Sequence, residues 1–333
     1  MTTTADYALA THGLRKSYGS RAALAGLDLA VPNGVVYGFL GPNGAGKTTT
    51  MRLLTGLIHA DGGTIEILGR PFGRNDRKRL FEVGALIESP AFYPFLSGRR
   101  NLIELAASGA PVGRGRVDEL LELVGLRERQ DDKVSGYSLG MKQRLGIAGA
   151  LLSDPKLLLL DEPANGLDPA GIVAMRETLR RLAASGKTVL VSSHLLAEVQ
   201  QMADVVGIIA AGRLVREGRI SDLLDAGGLI RVRVAAEEVE RAITILGTFA
   251  GGGNVRAIGD EPGWISVTST SDRMGDVNRT LAGAGIWATG LESGNDLEML
   301  FLELTGGSAT PGSASFGMAG VGSPADGGKE RRS

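Results

Sequence analysis

Eight consecutive residues, Gly41-Pro42-Asn43-Gly44-Ala45-Gly46-Lys47-Thr48, fit the spacing Gly, four of any kind, Gly-Lys and then Ser or Thr. Each residue type has a task in cradling a phosphate chain, and the pattern is that of a P-loop. The glycines let the backbone wrap close to an anion without side-chain clash. Their N–H groups, with the N-terminus of a following helix, supply partial positive charge. Lys47 is placed to reach β and γ phosphates, Thr48 Oγ to ligate Mg²⁺, and Thr49 opens the helix. A second group, Leu157-Leu158-Leu159-Leu160-Asp161-Glu162-Pro163, ends an apolar run in two carboxylates. Asp161 can hold Mg²⁺ directly or through water. Glu162, one residue on, projects elsewhere and can orient and deprotonate an attacking water. In a third group, Tyr137 to Arg144, Ser138 and Gly140 stand where a helix begins, so hydroxyl, N–H and helix dipole make a second anion site.

The elements that must position these groups are legible as well. Val35 to Leu40 reads as a buried strand before the loop, and Thr49 to Leu57 as a helix after it. Four successive leucines suit a central parallel strand covered on both faces. Its C-terminal end is where ligands of open α/β sheets bind. Thr188 to Val191 is another such strand, followed by Ser192-Ser193-His194. Tyr7 to Lys16, Gly26 to Val31 and Thr64 to Leu68 predict an antiparallel part beside the nucleotide. Between Glu88 and Tyr137 the pattern is mainly helical, with Asn101 to Ser108, Val117 to Val124 and Gly125 as a C-cap.

With these residues in order, the chain resembles the ATP-binding subunit of ABC transporters over about Leu9 to Glu217. Residues 137–144 resemble that family's signature motif, usually Leu-Ser-Gly-Gly-Gln; Ser138 and Gly140 match, while Tyr137, Leu139 and Met141 depart. The resemblance implies that Tyr18 stacks on adenine and that His194 is the switch histidine sensing the γ-phosphate. It also implies that Ala164-Asn165-Gly166-Leu167-Asp168-Pro169 is the D-loop, whose Asp168 helps join two subunits. Where the family usually has a Gln contacting Mg²⁺ and the attacking water, Gly84-Ala85-Leu86-Ile87-Glu88 puts Glu88. An ionised carboxylate can ligate Mg²⁺ but cannot donate a hydrogen bond. That Glu, with the Ser-Leu-Gly-Met-Lys signature, resembles the bacitracin and daunorubicin type of antibiotic-export ATPase.

The implied cofactors are ATP and Mg²⁺. The implied assembly is a homodimer burying two ATP molecules, each P-loop site capped by Ser138 and Gly140 of the other subunit. The implied partner is a separate integral-membrane permease, which holds the ATPase at the cytoplasmic face of the membrane and exports a hydrophobic drug or antibiotic. The alternative is a soluble ABC ATPase of DNA-repair or translation type. Such repair proteins need a long coiled coil or zinc-binding cysteines between the motifs, and the translation factors need tandem domains; neither is found in the sequence.

The 333 residues suffice for two domains, and 43% hydrophobic content suits a packed globular protein. A formal net charge of −1 gives no basic footprint for nucleic acid. The absence of cysteine excludes disulfides and thiolate metal sites. No signal peptide, covalent anchor or apolar run of membrane-spanning length is expected. Phe92, Tyr93 and Phe95 are either contacts for the membrane partner or core residues. The expected fold is α/β, a P-loop NTPase core with an antiparallel β subdomain and a helical subdomain. The ATP-binding domain takes residues 1–225, its helical part about 88–145. After it, the order β-α-β-β-α-β over 229–305, with a last strand over Ile286 to Leu291 and a last helix over Asp296 to Thr305, predicts a small ferredoxin-like α+β domain, whose Leu302 to Gly306 ending resembles that of antibiotic-export ATPases. A Gly-, Ser- and Pro-rich tail, 306–333, is expected to be disordered.

Overall fold

The structure, a computed structural model, describes residues 7–293 except 75, 89, 110–111, 114, 227–228, 250–254, 259–260 and 270. The expected helix over Asp296 to Thr305, the Leu302 to Gly306 ending and the tail lie outside the described residues.

Two long strands, β1 (Tyr7–Tyr18) and β2 (Arg21–Pro32), form a hairpin that continues through β4 (Gly62–Ile67) and β5 (Arg70–Pro71). The order is β2-β1-β4-β5, antiparallel throughout. A second sheet holds β3 (Val36–Leu40), β6 (Val83–Leu86), β7 (Leu157–Asp161), β8 (Thr188–Ser193), β9 (Val205–Ala210) and β10 (Arg213–Arg219). Its order is β10-β9-β3-β8-β7-β6, parallel except for β10. The register pairs Leu40 with Ser193 and Asp161 with Ser192. The P-loop, the carboxylate pair and the residues before His194 therefore leave one edge of one sheet.

The leucine run is buried completely, and its alternation divides it between two cores. Leu157 and Leu159 join Tyr37, Phe39 and Leu190 against the antiparallel sheet. Leu158 and Leu160 join Val189 and Val191 against helices α4 (Leu139–Ala150) and α5 (Pro169–Ala184). Two glycines set how closely α4 approaches β6. A Cβ on Gly84 would meet Ala150 O at 2.2 Å, and one on Gly146 would meet Leu86 Cδ1 at 3.0 Å.

Helix α1 (Lys47–Leu54) follows the P-loop, and α2 (Gly98–Ser108) and α3 (Arg116–Leu123) make up the rest of the helical arm with α4. Ser97 caps α2 by accepting from Arg100 N–H, and Ser138 caps α4 by accepting from Met141 N–H at 3.2 Å. Gly125, at φ 65°, ends α3 as expected; the Leu126 N–H returns to Leu121 O at 2.8 Å, closing a Schellman turn. Phe92 packs on the arm's core, whereas Tyr93 and Phe95 are exposed with their rings 5.8 Å apart. The two readings of that aromatic group thus divide between its members.

Helices α6 (Leu196–Met202) and α7 (Ile220–Ala226) complete this part. Beyond it come β11 (Leu229–Arg233), α8 (Val239–Phe249), β12 (Val255–Ala257), β13 (Trp264–Thr268), α9 (Met274–Gly283) and β14 (Gly290–Ser293). The sheet order is β12-β13-β11-β14, all antiparallel, with Ile230, Val232, Leu246, Ile265, Val267 and Leu281 in a separate core. The strand expected over Ile286 to Leu291 begins only at Gly290. Ile286 instead closes α9: its N–H returns to Leu281 O at 3.0 Å, after Gly285 at φ 78°. Its apolar side chain is a helix-stop contact that the alternating pattern mimics.

Candidate nucleotide site

The P-loop takes the shape its composition demands. Gly44 and Gly46 lie at φ 82° and 115°, and a Cβ on Gly46 would meet Ala23 O at 2.8 Å. Gly41 is equally confined, 2.5 Å from Ile209 O by the same measure. Ala45 is buried, and its N–H donates to Pro42 O at 3.1 Å. Gly46 is the N-cap of α1 and no side chain caps that end. The opening N–H groups of the helix thus retain their dipole for an anion.

Lys47 is buried and folds back over the loop, donating to Gly41 O at 2.7 Å and Pro42 O at 3.4 Å. Its Nζ also stands 3.3 Å from Glu162 Oε1. The other oxygen, Oε2, is 2.8 Å from His194 Nδ1. Both oxygens of one carboxylate are thereby engaged, one by the loop lysine and one by the histidine after β8. Glu162 can turn toward them because its φ is 49°, a left-handed conformation unusual for a non-glycine residue. The turn is held by Ser192, whose O and Oγ accept from Glu162 N–H at 3.2 and 3.0 Å.

These groups border a cavity of about 590 Å³. Tyr18, Asn43, Gly44, Gly46, Thr48 and Thr49 line it together with Lys47, Glu162 and His194. Asp161, the last residue of β7, is buried and accepts a short hydrogen bond from Ser192 Oγ. The available donors fit Mg²⁺: the Thr48 hydroxyl and Asp161 carboxylate are hard oxygen ligands. Among the described residues no group of three or more His, Cys, Asp or Glu converges.

Four predicted residues lie elsewhere. Ser138, Gly140 and Asp168 are absent from the cavity wall. They gather with the D-loop: a Cβ on Gly166 would meet Leu139 Cδ2 at 2.3 Å, and one on Gly140 would meet Leu167 Cδ2 at 3.2 Å. Asp168 caps α5 by accepting from Gly171 N–H at 2.9 Å. Glu88 is also outside the wall, paired with Arg52 of α1.

Sequence reasoning passed over Arg21 and Asn165 as cavity residues, and Ser192 as the bridge between Asp161 and Glu162. The last had a signal, since Ser192 stands two residues before His194. Burial raises the carboxyl of Glu198 on α6 above the ordinary range; His194 opposes the rise and Glu162 adds to it.

A family profile described as ABC transporter matches residues 24–165, which include the P-loop, Ser138, Gly140, Asp161 and Glu162. The bacitracin transport ATP-binding protein BcrA of Enterococcus faecalis is 37% identical over 310 residues, 91% of this chain and 97% of that protein. The daunorubicin resistance ATP-binding protein DrrA3 of Streptomyces coeruleorubidus shows the same identity and coverage. Among solved structures, that of cbiO1 from Clostridium perfringens, part of the ABC transporter complex cbiONQ, aligns with a TM-score of 0.59 at 29% identity. It covers 64% of this chain and 89% of that one. With two relatives matched over almost their full length, this chain belongs to the ABC transporter family, among its ATP-binding, ATP-hydrolysing subunits.

Proposed function

We propose that two copies of this chain sandwich two ATP molecules with Mg²⁺ and that their closing and opening drives export of a hydrophobic drug or antibiotic through a separate membrane permease. The observation that carries the site reading is the Lys47–Glu162–His194 chain beside the P-loop. An arriving γ-phosphate competes for Lys47, which otherwise rests on Gly41 O and Glu162. It competes for His194 as well. Drawing both away leaves Glu162 free to accept a proton from water, with His194 positioned on the phosphate. Thr48 and Asp161 would hold Mg²⁺, which when bound neutralises charge on the transferring phosphoryl group. Tyr18, half exposed at the cavity rim, takes the adenine.

Ser138 and Gly140 act in the other subunit's site. Support comes from their exclusion from their own cavity and their place on one exposed edge with the D-loop. An isologous pairing would set each edge against the partner's P-loop. Export is supported by the bacitracin and daunorubicin relatives, and the soluble repair or translation alternative has no such support. Among the described residues no helix is long and apolar enough to cross a membrane, in keeping with a permease that is a separate protein. Exposed Tyr93 and Phe95 on the arm are its proposed contacts, at the cytoplasmic face. The C-terminal sheet order and its two helices support a ferredoxin-like accessory domain, which we assign to dimer stabilisation or regulation.

Co-purification with a membrane subunit followed by ATPase assay with candidate drugs tests the export reading. Stimulation of turnover by a hydrophobic antibiotic is expected. A complex that hydrolyses ATP yet neither responds to nor moves any such compound would overturn it.

A further inference from the structure

The signature turn and the D-loop hold each other by two contacts of leucine on glycine. Leu139 opens α4 directly after its cap Ser138. The tip of its side chain lies against Gly166: a Cβ there would overlap Leu139 Cδ2 and stand 3.5 Å from Cγ. In return, Leu167 Cδ2 lies 3.2 Å from the place of a Cβ on Gly140. Residues 139 and 140 thus interlock with residues 166 and 167 in both directions. Gly166 is at φ 73°, a left-handed conformation that glycine adopts without steric cost.

Each half has a shape of its own. Ser138 Oγ accepts from Met141 N–H at 3.2 Å. The D-loop is folded by Asn165 N–H to Glu162 O at 3.2 Å and by Leu167 N–H to Ala164 O at 3.1 Å. Asp168 closes it by capping α5. Leu167 also packs on the core of the helical arm. Leu139 stands outside that core and is 48% exposed. Its contribution therefore lies in where it seats the signature turn, more than in the apolar area it buries.

We propose that Leu139 is a positioning residue: seated on Gly166, it fixes the signature turn against the D-loop, so that Ser138 and Gly140 meet the γ-phosphate held by the other subunit. This rests on the dimer reading above. The resembled signature usually has glycine at this position, which could not make the contact, so the departure at 139 acquires a physical role.

Leu139→Ala removes the contact. Nucleotide titration of the full chain should show unchanged MgATP binding, because the chain's own cavity is untouched, and this also shows that the variant is folded. Turnover should fall about tenfold, part of what a misplacement of about 1 Å can cost. Leu139→Met, which keeps the reach, should recover most of the loss. Mixing then locates the defect. Lys47→Ala spoils the cavity and leaves the edge intact. Mixed one to one with it, Leu139→Ala should rise from about a tenth to about a quarter of parental turnover, since half the dimers then hold one sound cavity facing one sound edge. Mixed with Ser138→Arg, whose edge is spoiled, it should not rise. Gly166→Ala should lower turnover, and by a smaller factor beside Leu139→Ala, where the added methyl meets no leucine. An unimpaired Leu139→Ala, the same response to both mixing partners, or independent losses at 139 and 166 would overturn the inference. If Lys47→Ala and Ser138→Arg recover nothing from each other, the dimer reading falls and takes this inference with it.

Discussion

Glu162 is the most constrained side chain of the site: one oxygen faces Lys47, the other His194, and its main chain is tied twice to Ser192. As the base we propose, such a carboxylate would be preorganised, yet restrained until its cations find a better anion. Replacing it by glutamine keeps the shape and removes the proton acceptor. We expect Glu162→Gln to bind ATP while hydrolysing it at least about 100-fold more slowly, the range for losing a general base. Phosphate-release and nucleotide-titration assays on one preparation check both halves, and an unchanged turnover rate would refute the assignment. Asp161, one position before, is directed elsewhere: it is the last residue of β7, and the left-handed Glu162 turns the chain out of the strand.

Among the elements, β3 matters most. It lies between β8 and β9 and feeds the P-loop, so anything that fixes it fixes Lys47. Tyr37 of this strand donates a short hydrogen bond to Glu217 of β10, and Glu217 also accepts from Ala30 N–H of β2. One carboxylate thereby ties the two large sheets together. Burial raises the Glu217 carboxyl above the ordinary range, and its two donors only partly offset that. A raised carboxyl contributes stability at pH values below its unfolded pKa, and that contribution is lost as pH climbs through the folded value. Glu217→Gln keeps the accepting oxygen and removes the charge. At pH 7 it should therefore be as stable as the parent or slightly more so, by up to about 1 kcal/mol after solvent screening. The advantage should shrink as pH falls through the raised folded value toward 4.5 and be gone below it, where the parent carboxyl is protonated in both states. Thermal melts across pH would show a parallel offset instead if the burial argument were wrong.

At the scale of the whole molecule, one chain holds a P-loop cavity and, apart from it, an exposed edge made by Ser138, Gly140 and the D-loop. In the proposed dimer, each cavity is completed by the opposite edge. Two disabled variants should then repair each other. Lys47→Ala spoils the cavity and Ser138→Arg spoils the edge, so each alone should be inactive. Mixed one to one with random exchange, half the dimers carry both defects, and each of those has one intact composite site. About a quarter of parental ATPase activity should return. No recovery, with exchange verified by mass, would show that each site works within its own chain.

Much of the candidate site was legible in the sequence, because its residues are contiguous. A loop that wraps a phosphate must be glycine-rich and end in Lys-Thr, and a buried strand that delivers a carboxylate must be an apolar run closed by Asp. Gly46, Lys47, Asp161 and Glu162 follow from such local necessities, as do the caps at Ser138 and Gly125. The family resemblance added Tyr18, His194 and Asp168 at sites whose local sequence alone is unremarked. Tertiary structure decided what touches what. Lys47, Glu162 and His194 meet because β3, β8 and β7 lie side by side in that register, a matter of sheet order that no single segment encodes. The same holds for Glu88, which could face a metal or an arginine until α1 brought Arg52 to it. Ile286 makes the complementary point: apolar spacing declares that a residue is buried, and only the packed chain declares whether a strand or a helix stop buries it.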